Sequence, residues 1–240
     1  MQMKGMLKKL KQWTSKPLEE QLETFEWRFY ELENKFFTYS RSLDFEGFIP
    51  RDALVAESAF SLANSNNFKP YSNFLFKRLL QEARSTGIDF ENFVDVGCGK
   101  GKQCFYAARY FKFKKVVGID FSGPLIQVAR HNLSKTRYPN IDFHTADARC
   151  WEIPNGTSIV FLYNPFNDVI LREFLLLNLK HFGKYPSLIA YGWDDHRSTM
   201  QELGFEIVFR SHRHRHSLLR FAGAAAASRS QGIATAILGR

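Results

Sequence analysis

Apolar residues in the first part of the chain fall at helical spacing. Leu18, Leu22, Phe25, Phe29, Leu32 and Phe36 recur at steps of four, three, four, three and four, and a seam of that kind must be buried against something. Pro17 suits the first turn of the helix that carries it, and the outer face is acidic, from Glu19, Glu20, Glu23, Glu26, Glu31 and Glu33. Ahead of it, Met3, Met6, Leu7, Leu10 and Trp13 share one face while Lys4, Lys8 and Lys11 fall off it, which describes a short basic amphipathic helix.

From about Tyr71 the pattern changes. Tyr71 to Ala83 reads as an apolar-faced helix ended by Ser85-Thr86-Gly87, and seven β-rich runs follow: Phe93–Val96, Lys115–Ile119, Ile141–Thr145, Ser158–Tyr163, Ser187–Tyr191, Phe205–Arg210 and Ile233–Leu238. Helical stretches at Lys102–Phe111, Pro124–Leu133 and Asp168–Lys180, and a turn-rich piece near Arg149–Ile153, separate the first five. Strands that alternate with helices, several of them apolar on both faces, predict a parallel sheet covered on both sides. The expected architecture is therefore α/β: a doubly wound, mostly parallel seven-stranded sheet over residues 66–240, preceded by a helical extension over 1–65. Residues 222–232, AGAAAASRSQG, read as a flexible loop between the last two strands.

Charge adds a detail that the total hides. The 240 residues carry a net +9. Residues 1–16 hold five Lys and residues 207–240 hold six Arg, with no acid in either stretch, so the body between them has 22 basic residues against all 24 acids and is close to neutral. The positive ends raise the expectation of a weak anionic contact, with nucleic acid or a membrane surface. The three cysteines, Cys98, Cys104 and Cys150, have no metal-finger spacing and read as reduced core thiols of a cytoplasmic protein. The basic N-terminus has no continuous apolar segment of the signal-peptide type, and no run reaches the roughly 18 apolar residues of a membrane span.

The stretch FVDVGCGKGKQCFYAARYFKFKKVVGIDFS carries the chemistry. A strand delivers Asp95, then the turn Gly97-Cys98-Gly99-Lys100-Gly101, from which a helix starts. Glycines serve where a backbone turns tightly and a ligand approaches with no Cβ in the way. A dinucleotide fingerprint needs its third glycine at 102, but that residue is Lys102. Asp120 ends the second strand, where a carboxylate can accept hydrogen bonds from both hydroxyls of a ribose.

With ADA at 146–148 and Tyr163-Asn164-Pro165-Phe166 after the fourth strand, the series DVGCGKG, GID, ADA, YNPF resembles the class I S-adenosylmethionine-dependent methyltransferases over roughly residues 70–210. The resemblance implies S-adenosylmethionine as cofactor. It implies that Gly97, Cys98, Gly99 and Gly101 line the methionine end with Asp95 near the ammonium group. It places Asp120 and Phe121 at the ribose, Asp147 and Ala148 at the adenine, and Asn164 at the edge of the same site. Asn164, Pro165 and Phe166 then position the acceptor: an Asn side chain and a Pro carbonyl accept hydrogen bonds from an amine and aim its lone pair at the methyl. The loop is similar to the Asn-Pro-Pro-Tyr/Phe loop of amino-group methyltransferases but has one proline where they have two, and it is closer still to bacterial methyltransferase-like proteins ending in YNPF, whose acceptor is undefined. The expected reaction is methyl transfer to an N or O nucleophile; the alternative is a non-catalytic module acting through the basic termini.

Other features have a structural reading beside the functional one. Tyr71 and Asn73 form either a lid over the cofactor or ordinary helix-start packing. His212, His214 and His216 would share one face if the strand continued that far, a metal site without a carboxylate, so no metal is expected. Asp194-Asp195-His196 reads as a polar loop starting a helix at Arg197–Leu203. The Leu18–Phe36 seam is either cover for the cofactor cleft or a homodimer contact.

Overall fold

A computed structural model describes residues 17–56 and 58–223. The expected helix at Met3–Trp13, the expected strand Ile233–Leu238 and nearly all of the 222–232 loop lie outside the described residues. The chain divides into two compact units after Ser42. The first contains helix α1 (Leu18–Ser40), which the apolar seam predicts. Residues 43–65 belong with the second unit, the sheet domain.

That domain contains α2 (Ala59–Asn64), α3 (Asn73–Ser85), β1 (Asn92–Val96), α4 (Lys102–Tyr110), β2 (Lys115–Asp120), α5 (Gly123–Ser134), β3 (Ile141–Thr145), β4 (Ser158–Tyr163), α6 (Asp168–Lys184), β5 (Leu188–Gly192), α7 (Arg197–Glu202), β6 (Phe205–Ser211) and β7 (His216–Phe221). The seven strands make one sheet in the order β3-β2-β1-β4-β5-β7-β6. β1 to β5 pair in parallel, and β7 runs antiparallel to both β5 and β6.

β7 is not among the strands the pattern predicts. Arg-His alternation over 210–216 would put the histidines on one face if the strand predicted to Arg210 continued, but β6 stops at Ser211 and the chain reverses before His216, with Arg215 in the left-handed region at φ +51°. The three histidines therefore do not share a strand face. Ser217, Leu218 and Leu219 are buried because β7 is inserted between β5 and β6. Among the described residues no group of three or more His, Cys, Asp or Glu is placed to hold a metal ion. No helix among them is long and apolar enough to cross a membrane.

Register divides the core chemically. Phe93, Asp95, Phe161 and Phe143 point to one face, where Phe76 of α3 meets Phe93 and Phe161 edge-on at ring-centroid distances of 5.6 and 5.0 Å. Val94, Val96, Val117, Ile119, Val160 and Leu162 point to the other and pack with Ile170, Leu171 and Phe174 of α6. Alternation of this kind with both faces covered is what makes the strands read as continuous apolar runs.

A strap over residues 43–54 is fixed to the domain by polar contacts. The backbone N–H of Asp44 donates to Asn132 Oδ1 at 2.9 Å and Asn132 Nδ2 returns a bond to the Asp44 carbonyl at 2.8 Å. Phe45 is fully buried, its ring 5.1 Å from that of Phe105. Asn132 itself is fully buried, so removing its amide leaves backbone groups of the strap without partners. Asn132→Ala is expected to lower unfolding free energy by about 1–3 kcal/mol, read from the midpoint of urea denaturation, and to raise proteolytic cleavage within 43–54.

Candidate functional site

The cleft lies across the carboxyl ends of β1, β2 and β4, where an open parallel sheet leaves a crevice. It encloses about 910 Å³ including its open mouth. One wall comes from the ends of these strands. The other comes from residues 61–71, which sequence reasoning did not assign to the site beyond Tyr71.

The glycine turn is built as its spacing suggests, but its close approaches are internal. Gly97 (φ +80°) and Gly99 (φ +53°) occupy conformations that side chains resist. A Cβ at 97 would lie 2.3 Å from Cβ of Pro165, and one at 99 would lie 2.3 Å from the Phe68 ring. The missing side chains therefore admit other parts of this chain, which close the wall around the turn. Gly101 (φ +82°) starts α4.

Asp120 fixes the turn. Its Oδ2 accepts from Gly99 N–H and its Oδ1 from Ser122 N–H, both at 2.9 Å. Burial pushes its pKa up to about 6, the two N–H donors limiting the rise. Asp95, on the adjacent strand, is 3% exposed and within 3.8 Å of the Cys104 thiol. Burial first, and then the neighbouring Asp120 charge, push it up to about 8, with the thiol opposing. Two carboxyl groups thus sit in one cleft at a site that favours an added cation. Burial also raises the Cys98 and Cys104 thiols, which makes them poor nucleophiles. Cys150, expected in the core, is exposed because it ends a short 3-10 turn rather than an inward-facing strand.

Asp147 lies in the cleft wall with its carboxylate already engaged. Ser61 Oγ donates to its Oδ2 at 2.5 Å, and Arg149 donates from its guanidinium and from its backbone N–H. Partial burial opposes its ionisation, but these donors outweigh burial and hold the carboxyl below its usual range. Arg149 also lies over the Phe60 ring at 4.5 Å, so α2 is clamped to this corner.

The loop after β4 is clasped by residues 64–66. Asn66 N–H donates to the Pro165 carbonyl at 3.0 Å and Asn66 Nδ2 to the Asn164 carbonyl at 2.8 Å. Asn167 N–H donates to the Asn64 carbonyl at 2.9 Å while the two side chains bond at 2.7 Å. Asn164 has φ +41°, and its Oδ1 accepts from the Tyr191 hydroxyl at 3.3 Å. The oxygens proposed to receive an amine are thus each already in one hydrogen bond with this chain.

Of the sequence-predicted residues, the structure brings Asp95, Gly97, Cys98, Asp120 and Phe121 to the cleft lining from β1 and β2, and Asp147, Ala148, Pro165 and Phe166 from beyond β3 and β4. Gly99, Gly101 and Asn164 are not among the residues that line it. Tyr71 lines the cleft, packs on Tyr163 at 4.5 Å and shares a 3.3 Å hydrogen bond with His216 Nδ1. Asn73 is buried at the start of α3, in contact with Gln103. Asp194 is buried and takes charge-assisted hydrogen bonds from Arg210, with Ser217 donating to the same carboxylate, and Arg215 pairs with Asp195, so the polar loop after β5 is tied to β6 and β7. The signal that could have found the second wall is the run Asn64-Ser65-Asn66-Asn67, side chains that bond backbone outside regular structure.

Residues 93–173 match the family model described as a methyltransferase domain. Among the curated proteins, a trans-aconitate 2-methyltransferase of Afipia carboxidovorans is 32% identical over 74 residues, 31% of this chain and 27% of that protein. A second, from Rhodopseudomonas palustris, is 29% identical over 99 residues, covering 41% and 34%. The chain thus spans about a third of the length of the curated relatives it matches. Among solved structures, the N-methyltransferase NodS of Bradyrhizobium japonicum in complex with S-adenosyl-L-homocysteine aligns with a TM-score of 0.47 at 15% identity, covering 64% of this chain and 89% of that one. A ribosomal protein L11 methylase of Lactobacillus delbrueckii aligns with a TM-score of 0.46 at 16% identity, covering 63% and 80%.

The raised pKa of Asp95 sets a pH dependence. Its folded state holds the proton more tightly than the unfolded chain, so this contribution is full below pH 3.8 and is lost as pH rises towards 8. Buried His181 and His216, both lowered to about 4, act in the opposite sense and only below 6.5. Between pH 6.5 and 8 the ligand-free protein is therefore expected to lose about 2 kcal/mol of stability through Asp95. Asp95→Asn should flatten that slope in thermal denaturation followed across the range.

Proposed function

We propose that this chain, whose residues 93–173 match a methyltransferase-domain model, is a class I S-adenosylmethionine-dependent methyltransferase that binds its cofactor in the cleft and transfers the methyl group to an N or O nucleophile. The observation that carries the reading is Asp120, a buried carboxylate held by Gly99 and Ser122 at the end of β2, beside a glycine turn and a second buried carboxylate, Asp95. The residues present fit the cofactor. Asp95 suits a cationic ammonium, Asp120 retains acceptor capacity for ribose hydroxyls, and the wall at Asp147 and Ala148 offers an edge for a base.

S-adenosylmethionine supplies a methyl group made electrophilic by its sulfonium. What remains for the protein is to hold a nucleophile in line with it and to exclude water. Residues 61–71 close one side of the cleft, and Tyr71, Phe161, Tyr163 and Phe166 give it an apolar aromatic lining. Pro165 is held against Gly97, with its carbonyl bonded to Asn66. The Pro165 carbonyl and the Asn164 amide each keep a second lone pair, through which an acceptor N–H or O–H can be oriented.

A reading through the basic termini draws less support from the described residues, since Arg210 and Arg215 are paired with Asp194 and Asp195.

Isothermal titration with S-adenosylmethionine tests this function. Asp120→Ala is expected to weaken binding at least about tenfold, or 1.4 kcal/mol. Binding should release a proton and tighten as pH rises towards 8, because a cation near Asp95 lowers its pKa. Asp95→Asn should abolish that pH dependence, as read from titrations in buffers of different ionisation enthalpy. No binding at millimolar cofactor removes the reading. Transfer of labelled methyl into fractionated extract then assigns the acceptor class.

A further inference from the structure

The cleft wall at Asp147 and Ala148 is the edge proposed for the base of the cofactor, yet the Asp147 carboxylate has no lone pair left for an amine. Its Oδ1 accepts from the Arg149 backbone N–H at 2.9 Å, and its Oδ2 from Arg149 Nη2 at 2.8 Å and Ser61 Oγ at 2.5 Å. Arg149 Nε bridges both oxygens at 3.1 and 3.2 Å. A carboxylate offers about four lone-pair sites, and these donors fill them. The bond to Ser61 has a fixed polarity. Burial opposes ionisation of Asp147, but the donors of Arg149 and Ser61 outweigh it and keep the group ionised at neutral pH. An ionised carboxyl only accepts, so the hydrogen in this bond belongs to the Ser61 hydroxyl.

A serine hydroxyl carries one hydrogen and two lone pairs. With the hydrogen committed to Asp147, Ser61 can only accept from a further partner. Arg149 Nη2 approaches it at 3.5 Å, the outer limit for a hydrogen bond, and a second lone pair remains. Ser61 lines the cleft beside Asp147 and Ala148 while only 2% exposed. It is held there from two sides. Its backbone N–H donates to Ser58 Oγ at 3.2 Å at the start of α2, and the ring of the preceding residue, Phe60, lies 4.5 Å from the Arg149 guanidinium. One residue of α2 thus packs on the arginine that saturates Asp147, and the next donates to Asp147 itself.

We propose that Ser61 selects the base of the cofactor: its Oγ accepts from the exocyclic amine of adenine, and Asp147 acts through it as a positioning residue by holding the hydroxyl hydrogen. This rests on the cleft being an S-adenosylmethionine site and deepens that reading. The contact moves from an acid that a motif marks to a serine 86 residues earlier in the chain. A 6-amino group donates and is matched. A 6-oxo group only accepts, and it meets a hydroxyl that cannot turn its hydrogen towards it, so two acceptors face each other.

Isothermal titration of the full chain with S-adenosylhomocysteine and with S-inosylhomocysteine, which carries a 6-oxo group in place of the amine, tests Ser61 without turnover. The unaltered chain is expected to prefer the adenosyl ligand at least about tenfold. Ser61→Ala should narrow that preference about fivefold or more by weakening the adenosyl ligand. Asp147→Ala should narrow it by the opposite route, because the freed hydroxyl can donate to the 6-oxo group and tighten the inosyl ligand. Loss of packing alone would weaken both ligands together and leave their ratio unchanged. A preference that survives Ser61→Ala overturns the role of Ser61. If that preference is then removed by Asp147→Ala through a weaker adenosyl ligand, the amine belongs to the carboxylate directly. A chain that binds S-adenosylhomocysteine with no preference removes only the role of Ser61, whereas one that binds neither ligand removes the reading of the cleft as well.

Discussion

Two hydrogen bonds to one buried carboxylate hold the site together. Asp120 reaches from the end of β2 to the N–H of Gly99 and to that of Ser122 at the start of α5. A carboxylate in this position satisfies donors at a helix start and in a left-handed turn, both of which lack partners within their own elements. The same burial that makes these bonds strong makes the charge costly, which raises the pKa of Asp120 and, with its charge added, that of Asp95. The geometry of the turn and the electrostatics of the cleft then have one origin: two buried acids side by side on adjacent strands.

The second wall follows a different logic. Residues 61–71 have little regular structure beyond the short α2, and they hold their place through side-chain amides and hydroxyls. Ser61 bonds Asp147, Asn64 bonds Asn167, and Asn66 bonds both Asn164 and Pro165. These contacts join segments that are about 85 to 105 residues apart in sequence. They also set the posture of the loop after β4, whose Asn164 carries a left-handed backbone that needs support from its surroundings. The posture of that loop therefore depends on a segment outside the recognisable motifs, since it is Asn66 that occupies part of the hydrogen-bonding capacity of the Asn164 and Pro165 carbonyls.

Charge is distributed more locally than the regional count implies. The basic C-terminal stretch includes a pair of strands, and within it Arg210 and Arg215 neutralise the loop Asp194-Asp195. Their role in the described residues is to tie the antiparallel edge of the sheet to the loop after β5. Buried Asp194, with three donors around it, depends on them.

The sequence by itself determined the alternating strands and helices, because burial on both faces writes itself as short apolar runs between helical periods. It also determined the acids and glycines of the cleft, because their positions relative to strand ends are local. Tertiary structure decided what those glycines pack against. Pro165 and Phe68 meet Gly97 and Gly99 only after distant segments dock, and no spacing rule encodes that approach. It likewise decided the place of β7, whose Arg-His alternation is compatible with a continuing strand until the chain turns at Arg215 and finds a vacancy between β5 and β6.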